Sequence, residues 1–160
     1  MAAPAITAST RYYRPGTSKI YFCPTIANIA SPTRGELNAG TDISPEVAAV
    51  SGWAPSRNFL DAPDLLSAFV PKVSAGLEAG DSTINMYASS NSVDARSLLP
   101  MDTTGYIVML YEGDVAGRKM NVFPIKVGSD AQEVDLGNVA QLVFSFAVTS
   151  NPSRNVTIPA

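Results

Sequence analysis

The chain has 160 residues, 46% of them hydrophobic and 16% charged, a length that fits one compact domain able to bury about two thirds of its surface. It contains no histidine and one cysteine, which removes the commonest general base, the commonest metal ligand, any disulfide framework and every multi-cysteine zinc or iron–sulfur site. A net charge of −3 and a pI near 4.8 argue against a duplex-binding domain, which carries a basic footprint for phosphates.

The opening ten residues lack a basic leader and a long apolar region, so they do not read as a secretory signal, and Cys23 is expected to be a reduced, partly buried thiol. Residues 1–18 are small and polar and carry Arg11 and Arg14 with no acid, the composition of an N-terminal arm. Within it Arg11, Tyr12, Tyr13 and Arg14 suit a subunit interface, where Tyr and Arg are enriched; the run is short for stacking single-stranded nucleic acid. Lys19 to Cys23 alternates as a first strand ending near Pro24. Thr33 and Glu36 have the spacing of a capping box for a helical turn that Gly40 closes. Residues 28–49 as a whole carry few large apolar side chains and little strand pattern, and read as a long loop segment.

Val47 to Trp53 reads as a strand ending in a turn, Arg57 to Leu60 as a second extended piece, and Phe69 to Val73, with Pro71, as an edge strand or bulge. Thr83 to Ala88 alternates, with Ile84 and Met86 on one face and Thr83, Asn85 and Tyr87 on the other. Ser92 to Leu99 predicts a two-turn helix capped by Ser92 and stopped by Pro100. Gly105 to Tyr111 is apolar on both faces, a central strand; at six residues from Tyr106 it is far below the roughly 20 that cross a bilayer as a helix, so no membrane partner is expected. Lys119 to Val127 changes phase near Phe123-Pro124, which predicts a bulge there. Leu142, Phe144, Phe146 and Val148 alternate against Gln141, Ser145 and Thr149, and residues 150–160 are left as a C-terminal tail. The pattern is that of a single mainly β domain over 1–160, a β sandwich or barrel with one or two short helices.

Acid–base chemistry would need two carboxylates in unlike environments. Asp61/Asp64 and Asp130/Glu133/Asp135 are the available sets, and their Pro, Gly and Asn neighbours assign them to turns in solvated loops. Calcium at the second set lacks the glycine and the twelfth-position glutamate of the helix-loop-helix pattern. A Cys23 or serine nucleophile would have only Lys19, Lys72, Lys119 or Lys126 as base, none in a motif, and no phosphate-cradling glycine loop occurs. No enzyme, no metal and no cofactor is therefore expected.

Taken in order, Thr17 to Ala27, Pro32 to Ile43 with its Arg34, Glu36 and Asn38-Ala39-Gly40-Thr41-Asp42, Gly52-Trp53, Ser82 to Tyr87, Asp94 to Arg96, Gly105 to Val108 and Val122 to Val127 resemble the major tail tube proteins of long-tailed bacteriophages, especially those of actinobacterial phages. The resemblance implies a structural virion protein with no active site: a small β sandwich forming hexameric rings that stack into a hollow conduit for DNA delivery. Subunit strands would form one continuous barrel around the lumen, and loops and arms would bridge rings. It implies self-association as the main partnership, with a tape measure protein, a tail terminator and distal tail proteins as further partners, and genomic DNA passing through without specific binding. The chain would be assembled in the host cytoplasm and reside in the virion tail. Arg34, Glu36, Asn38, Thr41 and Asp42 would then lie at subunit or ring contacts, with Arg11 to Arg14 as an arm; Glu36 capping only its own helical turn is the simpler alternative. Competing readings are another tail or virion module, such as a tail terminator or decoration protein, and a carbohydrate- or peptide-binding β sandwich using Trp53 and the tyrosines as a platform.

Overall fold

A computed structural model describes residues 3–91 and 94–160. In chain order the elements are β1 (Lys19–Cys23), α1 (Arg34–Asn38), β2 (Thr41–Asp42), β3 (Val47–Ser51), β4 (Pro55–Asp61), β5 (Lys72–Ala79), β6 (Ser82–Tyr87), β7 (Thr104–Leu110), β8 (Lys119–Glu133), β9 (Gln141–Val148) and β10 (Ser153–Thr157), with 3-10 turns at Ser44–Glu46 and Ala95–Ser97. Eight strands form one antiparallel sheet in the order β2-β1-β7-β8-β9-β6-β3, with β10 beside the first half of β8; β4 and β5 pair only with each other. The chain is mainly β, as its alternation implies.

The apolar run of β7 works as a central strand because its two faces enter two cores. Ile107 and Met109 join Ile84, Met86, Phe123, Phe144 and their neighbours in the larger core, capped by Trp53 and Ile43. Val108 and Leu110 join Cys23, Met120 and Val122 in a smaller one, which Leu37 of α1 and Ile158 close. The same division corrects the bulge expected at Phe123-Pro124. The ladder with β7 runs without a break from Asn121 to Lys126, Tyr106 lying opposite Pro124. Met120 and Val122 simply point into the smaller core, whereas Phe123, Ile125 and Val127 point into the larger one. Pro124 costs no ladder bond: its carbonyl accepts from Thr149 on the side where β9 ends, and a strand residue's N–H and C=O point the same way. The irregularity lies further on, between Val127 and Ser129, where a Cβ on Gly128 would stand 3.1 Å from the Ser145 hydroxyl.

Other expectations need correction. The strand after Pro71 begins at Lys72, and Phe69 to Pro71 belong to the loop before it, the Pro71 carbonyl still accepting the Ala62 amide at 2.9 Å across the hairpin. The two-turn helix is a single 3-10 turn whose cap is Asp94, accepting from the Arg96 amide at 3.1 Å; the expected cap Ser92 lies outside the described residues. The C-terminal tail contains β10, paired with β8 through an irregularity at Asn155, which has φ 56°, and it plugs Ile158 into the smaller core. Asp130 and Glu133 stand in strand rather than loop, because β9 pairs with β8 as far as Glu133. Residues 28–49 fold onto the sheet through α1, β2 and the start of β3, with Leu37 and Ile43 buried.

Candidate assembly interface

Thr33 opens α1 with a reciprocal capping box: its hydroxyl accepts the Glu36 amide and the Glu36 carboxylate accepts the Thr33 amide. Glu36 also accepts the Ala27 amide at 2.6 Å, and these bonds, Ala27's first, hold its carboxyl below the usual range. Arg34 reaches across to the β7–β8 turn and grips Asp114 with both terminal nitrogens, at 2.5 and 2.6 Å, while the Tyr21 hydroxyl donates to the same carboxylate at 2.9 Å. The guanidinium keeps Asp114 below its ordinary range; burial first and then Asp114 push the Tyr21 phenol up to about 12. Asp42, although burial opposes ionisation, is held low by Lys19 at 2.8 Å and by Ser44. Thus Arg34, Glu36 and Asp42 act within the chain, tying α1 and β2 to β1 and the β7–β8 turn. Asn38 and Thr41 are exposed beside them.

The arm leaves from the same end of the sheet. Residues 3–13 have no regular structure and are exposed, Arg11, Tyr12 and Tyr13 included; Arg14 lies over the Tyr111 ring at 4.9 Å. Between Ser51 and β4, Gly52 adopts φ +79° so close to the Asp81 carbonyl that a Cβ would stand 1.8 Å from it. Trp53, the expected binding platform in one reading, is buried, edge-on to Phe123 at 5.1 Å and donating to the Thr83 carbonyl at 3.0 Å. From this anchor the β4–β5 hairpin leaves the main sheet with Phe59, Leu60, Leu65, Leu66 and Phe69 exposed. Asp64, one of the candidate carboxylates, caps the hairpin loop by accepting from Leu66 and Ser67, and Asp61 pairs with Lys72.

Sequence reasoning passed over the feature with most bearing on assembly. Strands β3, β6, β9 and the distal half of β8 make a four-stranded layer that is open at both sides: β3 pairs only with β6, and beyond Val127 β8 pairs only with β9. On the face away from the core, Ser51, Thr83, Ser145 and Ser129 lie in one row across all four strands, joined by hydroxyl bonds of 2.8 Å (Ser51–Thr83) and 2.7 Å (Ser129–Ser145). The next row is Ala49, Asn85, Val143 and Ala131. Neither row contains a charge. The alternation of Thr83 and Asn85, and of Ser145 on β9, was the available signal; Ser51 and Ser129 had none. Among the described residues no group of three or more acids and cysteines could hold a metal.

A charge-poor sheet layer with two open edges, a detached apolar hairpin and an extended arm are the features of a structural subunit. The comparisons agree. The chain belongs to the phage tail tube protein family, whose sequence pattern matches residues 6–160, and it is therefore a structural subunit of a phage tail tube. Its fold is similar to a chain in the cryo-EM structure of the anti-feeding prophage baseplate, symmetrised six-fold, with TM-score 0.57 and 12% identity over 95% of each chain. It is also similar to a chain of the tail of an empty GTA particle with C6 symmetry, with TM-score 0.50 and 12% identity over 86% of this chain and 93% of the other. No curated protein matches the sequence.

Proposed function

We propose that six copies close into a ring by pairing β3 of each subunit with the distal half of β8 of the next, and that rings stack into a hollow tube for phage DNA. The observation that carries this is the pair of open edges on one four-stranded layer. Its strands alternate in direction, β3 with β9 and β6 with β8, so under cyclic symmetry β3 meets the neighbouring β8 antiparallel and no parallel joint is needed. Closure also removes the edges that would invite random pairing. The choice of six rests on the symmetry of the two related particles.

The two uncharged rows, from Ser51 to Ser129 and from Ala49 to Ala131, are the face assigned to the lumen. Releasing few counterions, such a wall gives DNA little reason to stay, so the duplex slides without specific binding. Asn38 and Thr41 and the apolar hairpin loop face adjoining copies, a tape measure protein occupies the lumen during assembly in the host cytoplasm, and terminator and distal proteins close the two ends. The subunit does this by geometry, with no catalytic step.

Two proline variants test the edge. Neighbouring strand residues point their amides to opposite sides, so of Ala131→Pro and Gln132→Pro one removes a bond to β9 and the other an amide at the open edge. Electron microscopy of the purified chain should show rings or hollow tubes with sixfold end views, lost in the edge variant while its melting temperature is unchanged. Rings that persist in both variants would sink the β3–β8 joint.

A further inference from the structure

We infer that the N-terminal arm of one copy docks on the β8–β9 hairpin tip of a copy in the next ring, Arg11 and its tyrosines meeting the apolar, acidic tip. This rests on the stacked-ring reading. The tip, residues 134–140, presents Val134, Leu136 and Val139 at 90, 102 and 68% exposure, an apolar surface that none of the described residues covers. Glu133 stands at its base and Asp135 within it, with no basic residue between Gly128 and Gln141. Asp135 spends its carboxylate on the turn, accepting from the Gly137 amide, and Asp130 lies in the field of Arg96, so Glu133 is the acid left to a partner.

The arm has the complementary make-up. It carries Arg11 and Arg14 and no acid, with Ile6 and Tyr13 at 96 and 79% exposure. Distance excludes its own tip. Arg14 is fixed at Tyr111, beside the start of β8, and the Ser18 hydroxyl donates to the Tyr111 carbonyl at 2.6 Å. From Lys119 to Glu133 the strand extends about 45 Å, whereas the three residues from Arg14 to Arg11 extend only about 10 Å. The basic arm and the acidic tip therefore occupy opposite ends of one subunit. A head-to-tail contact between copies brings them together and repeats without limit along a stack.

The test uses the full chain carrying Thr10→Cys and Val134→Cys. Since arm and tip of one chain are out of reach, mild oxidation gives a ladder of covalent multimers on non-reducing gels, while Cys23 stays buried. Adding Arg11→Glu should cut the ladder about tenfold, as should Glu133→Arg, and the two together should restore it; the yield should also fall with salt. No ladder, or a ladder indifferent to either charge reversal, overturns the arm contact. Micrographs of the same samples separate the two readings: rings without a ladder sink the arm contact alone, a charge-dependent ladder without rings sinks the ring reading alone, and neither ladder nor rings sinks both.

Discussion

Arg34, Asp114 and Tyr21 form one unit in which a single carboxylate satisfies a guanidinium and a phenol. Arg34→Ala leaves Asp114 with only the phenol and should lower stability by about 1–2 kcal/mol, because the pair is bidentate yet still partly solvated. Thermal melts at low and high salt measure it. Titration sets limits on both sides. Hydrogen bonding from Arg96 first of all holds Asp94 at about 2, and Asp114 is depressed by Arg34, so each contributes stability that is present above an unfolded carboxyl's range near 4 and is lost as pH falls toward 2. Tyr21 is raised to about 12, mainly by burial, so its contribution is intact below about 10 and is lost as pH rises toward 12. Denaturant midpoints across pH should decline on both flanks, and Tyr21→Phe should flatten the alkaline flank and, by removing one of the bonds that hold Asp114 low, make the acid flank slightly shallower. The capping box at Thr33 and Glu36 was readable because it is local, whereas the grip of Arg34 on Asp114, 80 positions away, has no trace in spacing.

The break between β3 and β4 decides where the hairpin points. Gly52→Ala meets both a left-handed backbone and the Asp81 carbonyl and should destabilise by about 2 kcal/mol or more, with the hairpin shifted. Trp53→Ala should cost about 3–5 kcal/mol by emptying the space beside Phe123 and Phe146. Trp53 is the only tryptophan and is buried, so the red shift of its fluorescence in denaturant reports Gly52→Ala, while circular dichroism follows the unfolding of Trp53→Ala. Strands with one-sided alternation, β6 and β9, were legible within a residue or two, as was β7 with its two apolar faces. Lys119 to Val127 misled because a strand that passes from one core to the other changes its apolar parity without changing its register. β10 and the far ends of β5 and β8 are polar and exposed, held by ladder bonds to a neighbour, which leave no hydrophobic signature. The joint at Gly40 differs again: its backbone needs no left-handed turn, but a Cβ there would stand 2.6 Å from the Cys23 sulfur.

On the scale of the whole molecule the rows from Ser51 to Ser129 are the part that DNA would touch. Thr83→Lys and Ser145→Lys put cations there without disturbing the core, since Ile84 and Phe144 point the other way. Tubes of the double variant should form normally and retain duplex DNA in a salt-sensitive manner, read by co-sedimentation across a salt series; retention unchanged from the parent would move the lumen to another face. A different consequence follows from Cys23. The thiol is fully buried, and burial first, then Glu36, pushes it up to about 11, so it stays protonated and shielded at neutral pH. The surface thus offers no thiol of its own. One cysteine placed at an exposed position becomes a unique handle for dyes, gold or ligands, repeated once per subunit, and a tube of such copies is a periodic scaffold whose decoration is set by a single codon.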